Sequence, residues 1–165
     1  QAEDWTAASA TVDGMTAGWD SYRTGNVPRL LEAQMNWALV RLVAAVDIRQ
    51  TLETRQAAID VSRATLDFLL RHRPVAEIDL ALFDLWAARV LVDAAAEDPA
   101  AVTGDVATLE WIWDRFGHAL DDSSVTQIEP LLGGLRTAAD DEDLSAAGEA
   151  ATQLRELFAT LTPTS

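Results

Sequence analysis

Cysteine is absent from the 165 residues, and so is lysine. The first absence removes disulfide frameworks, thiol nucleophiles and zinc-thiolate sites. The second leaves arginine to supply all twelve basic side chains, against 27 acidic ones, for a formal net charge of −15. A composition biased to Ala, Arg and Asp accounts for the missing lysine; a salt-adapted surface is the sharper reading. The charge excludes nucleic acid as a partner, because phosphate binding needs a basic face that releases counterions. Anionic membrane surfaces are disfavoured on the same ground. No apolar run approaches the ~18 residues of a membrane span, so no insertion is expected. Phosphate loops, Gly-x-Ser-x-Gly elbows and His-Glu-x-x-His sequences are all missing. With two histidines and neither Cys nor Lys, the chemistry available is thin. The chain is therefore expected to be no enzyme and to need no cofactor. A signal peptide is missing too, and the polar opening Gln1-Ala2-Glu3-Asp4 suits a mature end left by cleavage. An extracytoplasmic protein, periplasmic or secreted, is the expectation, with a cytoplasmic one as the alternative.

What is present is apolar residues, 49% of the chain, at helical spacing. They predict an all-α fold in a single domain over residues 1–165, with five to six helices. The arrangement expected is an up-down bundle or a short αα-hairpin array. Trp5, Ala8, Val12, Met15, Trp19 and Tyr22 stripe a first helix over Glu3–Arg23, and Met15 and Met35 read as core residues that fill gaps. Asn26 is placed to cap a second helix, with Pro28 in its first turn. No Gly or Pro then interrupts residues 27–73, a length of ~70 Å if straight, so a break is expected where the stripe thins at 49–55. Val75–Ala96 is apolar on most sides and belongs at the centre. Asp98 and Pro99 open the next helix, striped by Val102, Val106, Leu109, Trp113, Phe116 and Leu120. A further helix follows Asp121, with a kink expected from Pro130 and Gly133-Gly134, and a last one spans Glu142–Thr160. Gly104-Asp105-Val106-Ala107-Thr108 and Gly148-Glu149-Ala150-Ala151-Thr152 match at an offset of 44, a faint sign of stacked helical hairpins that alanine-rich helices also produce by chance.

Two constellations carry the functional expectations. Trp37, Trp86 and Trp111 fall beside the core stripes, where aromatics line a ligand groove, form a partner face or close gaps between helices. Asp114, His118 and Asp122 share one face if their helix is continuous, a stripe that suits a divalent metal or simply a solvated surface. His72, between Arg71 and Arg73, complements a helix C-terminus. Arg49, Gln56 and Arg63, with Glu53, Asp60 and Asp67, form a polar seam along the second helical segment. The reading is a non-enzymatic binding or interaction module whose acidic surface selects a protein or a cationic small ligand. The alternative is a metal-ion or small-ligand carrier that uses the bundle interior or the Asp/His face.

Overall fold

The computed structural model describes residues 4–160, and these form seven α-helices with no strand. They are α1 Trp5–Tyr22, α2 Arg29–Asp47, α3 Thr51–Leu69, α4 Val75–Ala95, α5 Pro99–Phe116, α6 Asp122–Asp140 and α7 Leu144–Phe158, with a short 3-10 turn at Gly117–Ala119. The count exceeds the expected five to six, and the break expected at 49–55 falls at residues 48–50, dividing the long second segment into α2 and α3. Glu3, expected at the start of the first helix, lies outside the described residues. No described helix is long and apolar enough to cross a membrane.

The chain divides into two compact units, residues 1–68 and 69–165. In the first, α1 packs on α2, and Met35, Ala38, Leu39 and Leu42 of α2 meet Val12 and Trp19 of α1 and Ala57, Val61 and Ala64 of α3. Met15 is not in this core. It is 45% exposed, because Val12, Thr16 and Trp19 turn inward and leave it on the flank. Trp19 donates its indole N–H to Asn36 at 2.6 Å, tying α1 to α2. Asp60 and Asp67 of the expected seam reach across to α2, where Arg41 and Gln34 donate to them at 2.6 and 3.0 Å. Asn26 does not cap α2; Pro28 itself occupies the N-cap in extended geometry, without a side-chain bond.

In the second unit α4 packs on α5 and α7, and α6 on α7 and α5, so the four helices close a ring of neighbours. Phe83, Val90, Leu109, Leu135 and Leu154 are buried at its centre. Phe83 stacks on Phe158 at 4.5 Å between centroids and meets Phe116 edge-on at 5.7 Å. α6 runs unbroken through Pro130 and both glycines. Asp121 caps it by accepting from the Ser124 N–H and hydroxyl, which holds its carboxyl below the usual range.

Three turns share one design. After α2, α4 and α6 the backbone passes through a single left-handed residue: Arg49 (φ 56°), Glu97 (φ 57°) and Glu142 (φ 56°). Each donates to the carbonyl three residues back, and the next residue donates to the carbonyl five back: Gln50 to Ala45, Asp98 to Asp93, Asp143 to Ala138. This is the Schellman closure, built here without glycine. Asp98 and Asp143 then cap the following helix at once, accepting from Ala101 and Ala146 N–H at 3.0 Å. The last two turns lie 45 residues apart, and at that offset buried positions coincide: Val102 with Ala147, Val106 with Ala151, Leu109 with Leu154. The sequence matches at 44 are one residue out of this register, so they follow alanine content rather than structural equivalence.

A non-glycine residue in the left-handed region costs about 1–2 kcal/mol. Arg49→Gly should therefore raise stability by about 0.5–1 kcal/mol, since glycine's extra freedom in the unfolded chain offsets part of the relief. Phe83→Ala, by contrast, should lower it by about 3–5 kcal/mol. Urea denaturation of both variants checks the turn and the core together.

Candidate functional site

All three tryptophans beside the stripes carry an arginine one turn further along the helix. Arg41 lies over Trp37 at 4.6 Å from the ring centroid, Arg89 over Trp86 at 5.4 Å and Arg115 over Trp111 at 4.5 Å. Each stacked guanidinium also meets a carboxylate on a neighbouring helix: Asp60 for Arg41, Asp105 for Arg89, Asp79 for Arg115. The ring's negative face and the carboxylate hold the cation from two sides and lock its rotamer. Trp37 and Trp111 remain more than half exposed, whereas Trp86 packs partly into the core beneath its arginine. The three rings sit on three different helices, and each serves its own arginine clamp.

Beside Arg89 lies a group that sequence reading missed. Asp93 and Asp105 are 3% and 5% exposed and face each other between α4 and α5, with Arg89 beside both at 3.4 and 3.6 Å. Burial pushes the Asp105 carboxyl up to about 8, aided by its hydrogen bond to Asp93 and the Asp93 charge; Arg89 pulls it down and Asp98 adds a smaller upward push. No N–H or hydroxyl among the described residues donates to the buried Asp105 Oδ2. With its carboxyl raised this far, Asp105 keeps its proton at neutral pH. The readable signal was position: Asp105 lies on the stripe of Val102, Val106 and Leu109, where a solvated acid has no place.

The Asp114, His118 and Asp122 face depended on one continuous helix. That helix ends at Phe116, where Gly117 lies against the Trp113 ring and the 3-10 turn begins. Asp114 is on α5, His118 in the turn and Asp122 at the start of α6, all exposed. Among the described residues no group of three or more His, Cys, Asp or Glu side chains is placed to hold a metal ion.

A concave feature of the second unit lies elsewhere, between the C-terminal end of α4 and the N-terminal half of α7. An open cleft of about 990 Å³ is floored by Leu91, Ala94, Leu144 and Gly148 and rimmed by Glu97, Glu142, Asp143 and Glu149. No basic residue lines it. Glu97 and Glu142 are the left-handed residues of two of the repeated turns, so the closure that ends α4 and α6 also sets two carboxylates on the rim. Gly148 keeps the floor low, since a β-carbon there would meet Leu91 at 3.9 Å and a longer side chain would fill the space. None of the three tryptophans lines this cleft. Comparison with known protein families, with curated proteins and with solved structures finds no match for the chain.

The raised Asp105 carboxyl predicts a pH signature. Unfolded aspartate ionises near ~3.9, while folded Asp105 holds its proton to about 8. Between those values the folded chain binds more protons than the unfolded one, so stability is lost as pH rises from about 4 through about 8 and levels off above. Asp105→Asn keeps a neutral donor at the site and removes this term. Urea denaturation at pH 5, 6.5 and 8 should show the variant gaining on the parent by about 1 kcal/mol or more across the range. A constant difference at all three pH values would contradict a proton held on Asp105 up to about 8.

Proposed function

We propose that the chain is a non-enzymatic binding module whose α4–α7 cleft takes a cationic, partly apolar ligand, in the first instance an arginine- or lysine-bearing amphipathic segment of a protein. We also read the ring of α4, α5, α6 and α7 as an up-down four-helix bundle, with short turns joining antiparallel neighbours. The observation that carries the functional reading is the cleft itself, an apolar floor with four acidic residues and no base around it. An open groove suits a segment of chain better than an enclosed small molecule. Acidic residues beyond the cleft add steering, since residues 69–165 hold eighteen of the 27 acids but only six of the twelve arginines. Long-range attraction of this kind raises association rate, while the local rim and floor decide what stays bound.

The test is fluorescence polarisation with a labelled amphipathic peptide of arginine and leucine, beside an all-polar arginine peptide of equal charge. The amphipathic peptide should bind more tightly, and Gly148→Leu, which fills the floor, should weaken it roughly tenfold, about 1.4 kcal/mol. Glu97→Gln combined with Glu142→Gln should weaken both peptides and flatten the salt dependence. Equal affinity for the two peptides, unchanged by Gly148→Leu, would mean generic attraction to an acidic surface and would sink the reading.

A further inference from the structure

α2 carries two apolar faces, and the structure uses one of them. Its inner face holds Met35, Ala38, Leu39, Leu42, Ala45 and Val46. On the opposite side Leu30, Ala33, Trp37, Val40 and Ala44, continued by Ile48 at the C-cap, all lie exposed, at spacings of three and four residues. The large ones are far from covered: Leu30 85%, Trp37 57%, Val40 69% and Ile48 67% exposed. At 1.5 Å per residue this is a continuous stripe of ~27 Å, the pattern of a helix seam that lacks its partner. Trp37 is held in place along it by Arg41, itself anchored on Asp60, so the central aromatic is a rigid anchor.

We propose that this face pairs with the same face of a second copy of the chain, antiparallel about a twofold axis between positions 38 and 39. Three observations select that occupant and that direction. The first is the size profile, which reads large, small, large, large, small, large and is the same from either end. A twofold axis therefore sets Trp37 against Val40 of the second copy and Ala33 against its Ala44, and brings Leu30 within one residue of the level of its Ile48. Large residues meet large at the centre and ends, and alanine meets alanine between them, as an isologous contact requires.

The second observation is charge. α2 holds two arginines, one Glu and one Asp, a net of zero, whereas each of the other six α-helices is net negative. In a chain at −15 it is the helix on which two copies approach with least repulsion. The third is the placement of Arg29 and Asp47. They are exposed, eighteen residues or five full turns apart, and so flank the stripe on one side. An antiparallel pair brings each Arg29 to Asp47 of the other copy, twice per dimer. A parallel pair would set Arg29 level with Arg29, and Asp47 with Asp47. The contact belongs to the first unit and does not depend on the cleft.

Sedimentation equilibrium of the 165-residue chain over rising concentration, at about 0.15 M salt where the screening length is ~8 Å, tests this. The chain should pass from one copy to two, and no further. Val40→Glu should abolish the association while circular dichroism keeps its helical content. Asp47→Arg alone should weaken it roughly three- to tenfold, and adding Arg29→Asp should restore it. Both reversals place charge favourably at the helix ends, so a loss of association in the single variant does not reflect a weakened helix. A single copy at every concentration would overturn the proposal. So would association that survives Val40→Glu, which would place the contact on another face. Loss that the double reversal fails to restore would overturn the antiparallel pairing.

Discussion

Each arginine borne by α4, α5, α6 and α7 reaches a carboxylate on a neighbouring helix. Arg89 of α4 meets Asp105 of α5, Arg115 of α5 meets Asp79 of α4, Arg136 of α6 meets Glu110 of α5, and Arg155 of α7 meets Asp84 of α4. In a unit with three acids for every base, this placement is the constraint that the rest of the structure satisfies. It allows acids inside: Asp79 is buried beneath Arg115, and Asp93 and Asp105 beneath Arg89, where an isolated carboxylate would be expelled or neutralised. Where one arginine serves two buried acids, burial raises Asp105 to about 8, so that it stays protonated at neutral pH. Guanidinium suits this work because its planar fork bonds a carboxylate at its edge and lies flat on an indole at its face.

Because the helix-borne arginines are committed between helices, the acids at the ends of the unit are left to face water. The cleft rim is made of such acids, and the turn that places Glu97 and Glu142 there is the same turn that starts the next helix through Asp98 and Asp143. On the proposed binding role, stability and binding are opposed at those two positions. Glycine would close each helix with less strain, and would remove a carboxylate from the rim. The first unit is built differently. It carries little net charge, joins α1, α2 and α3 through Trp19–Asn36, Arg41–Asp60 and Gln34–Asp67, and leaves one whole side of α2 apolar and uncovered.

Much of the helical layout was legible because burial repeats with the helical period. Asp98 and Asp121 announced their helices, and the stripe through Val102, Val106, Leu109 and Phe116 is the buried one. The division after Asp47 was legible as thinning, but not as a turn, since the usual mark of a left-handed residue is glycine and here it is Arg49. The tryptophans beside the stripes were visible, and so was the arginine three or four residues after each. What those arginines hold was not, because Asp79 and Asp105 lie 36 and 16 residues from their partners and pairing at that range is decided by packing. The outer stripe of α2 was masked because apolar residues surround that helix on most sides, and only exposure separates Leu30, Trp37 and Val40 from the core face. The His118 face failed for a local reason, a helix that stops at Phe116.

The arginine account is tested most directly by a double-mutant cycle on Arg115 and Asp79, read by urea denaturation at pH 7. Arg115→Leu leaves the Asp79 carboxylate buried without its cation and should cost roughly 3 kcal/mol or more. Removing both, with Asp79→Leu and Arg115→Leu together, should cost less than Arg115→Leu alone, since no charge is then stranded between α4 and α5. A double variant that loses the sum of the two single losses would contradict the account, for it would show that the two side chains act independently.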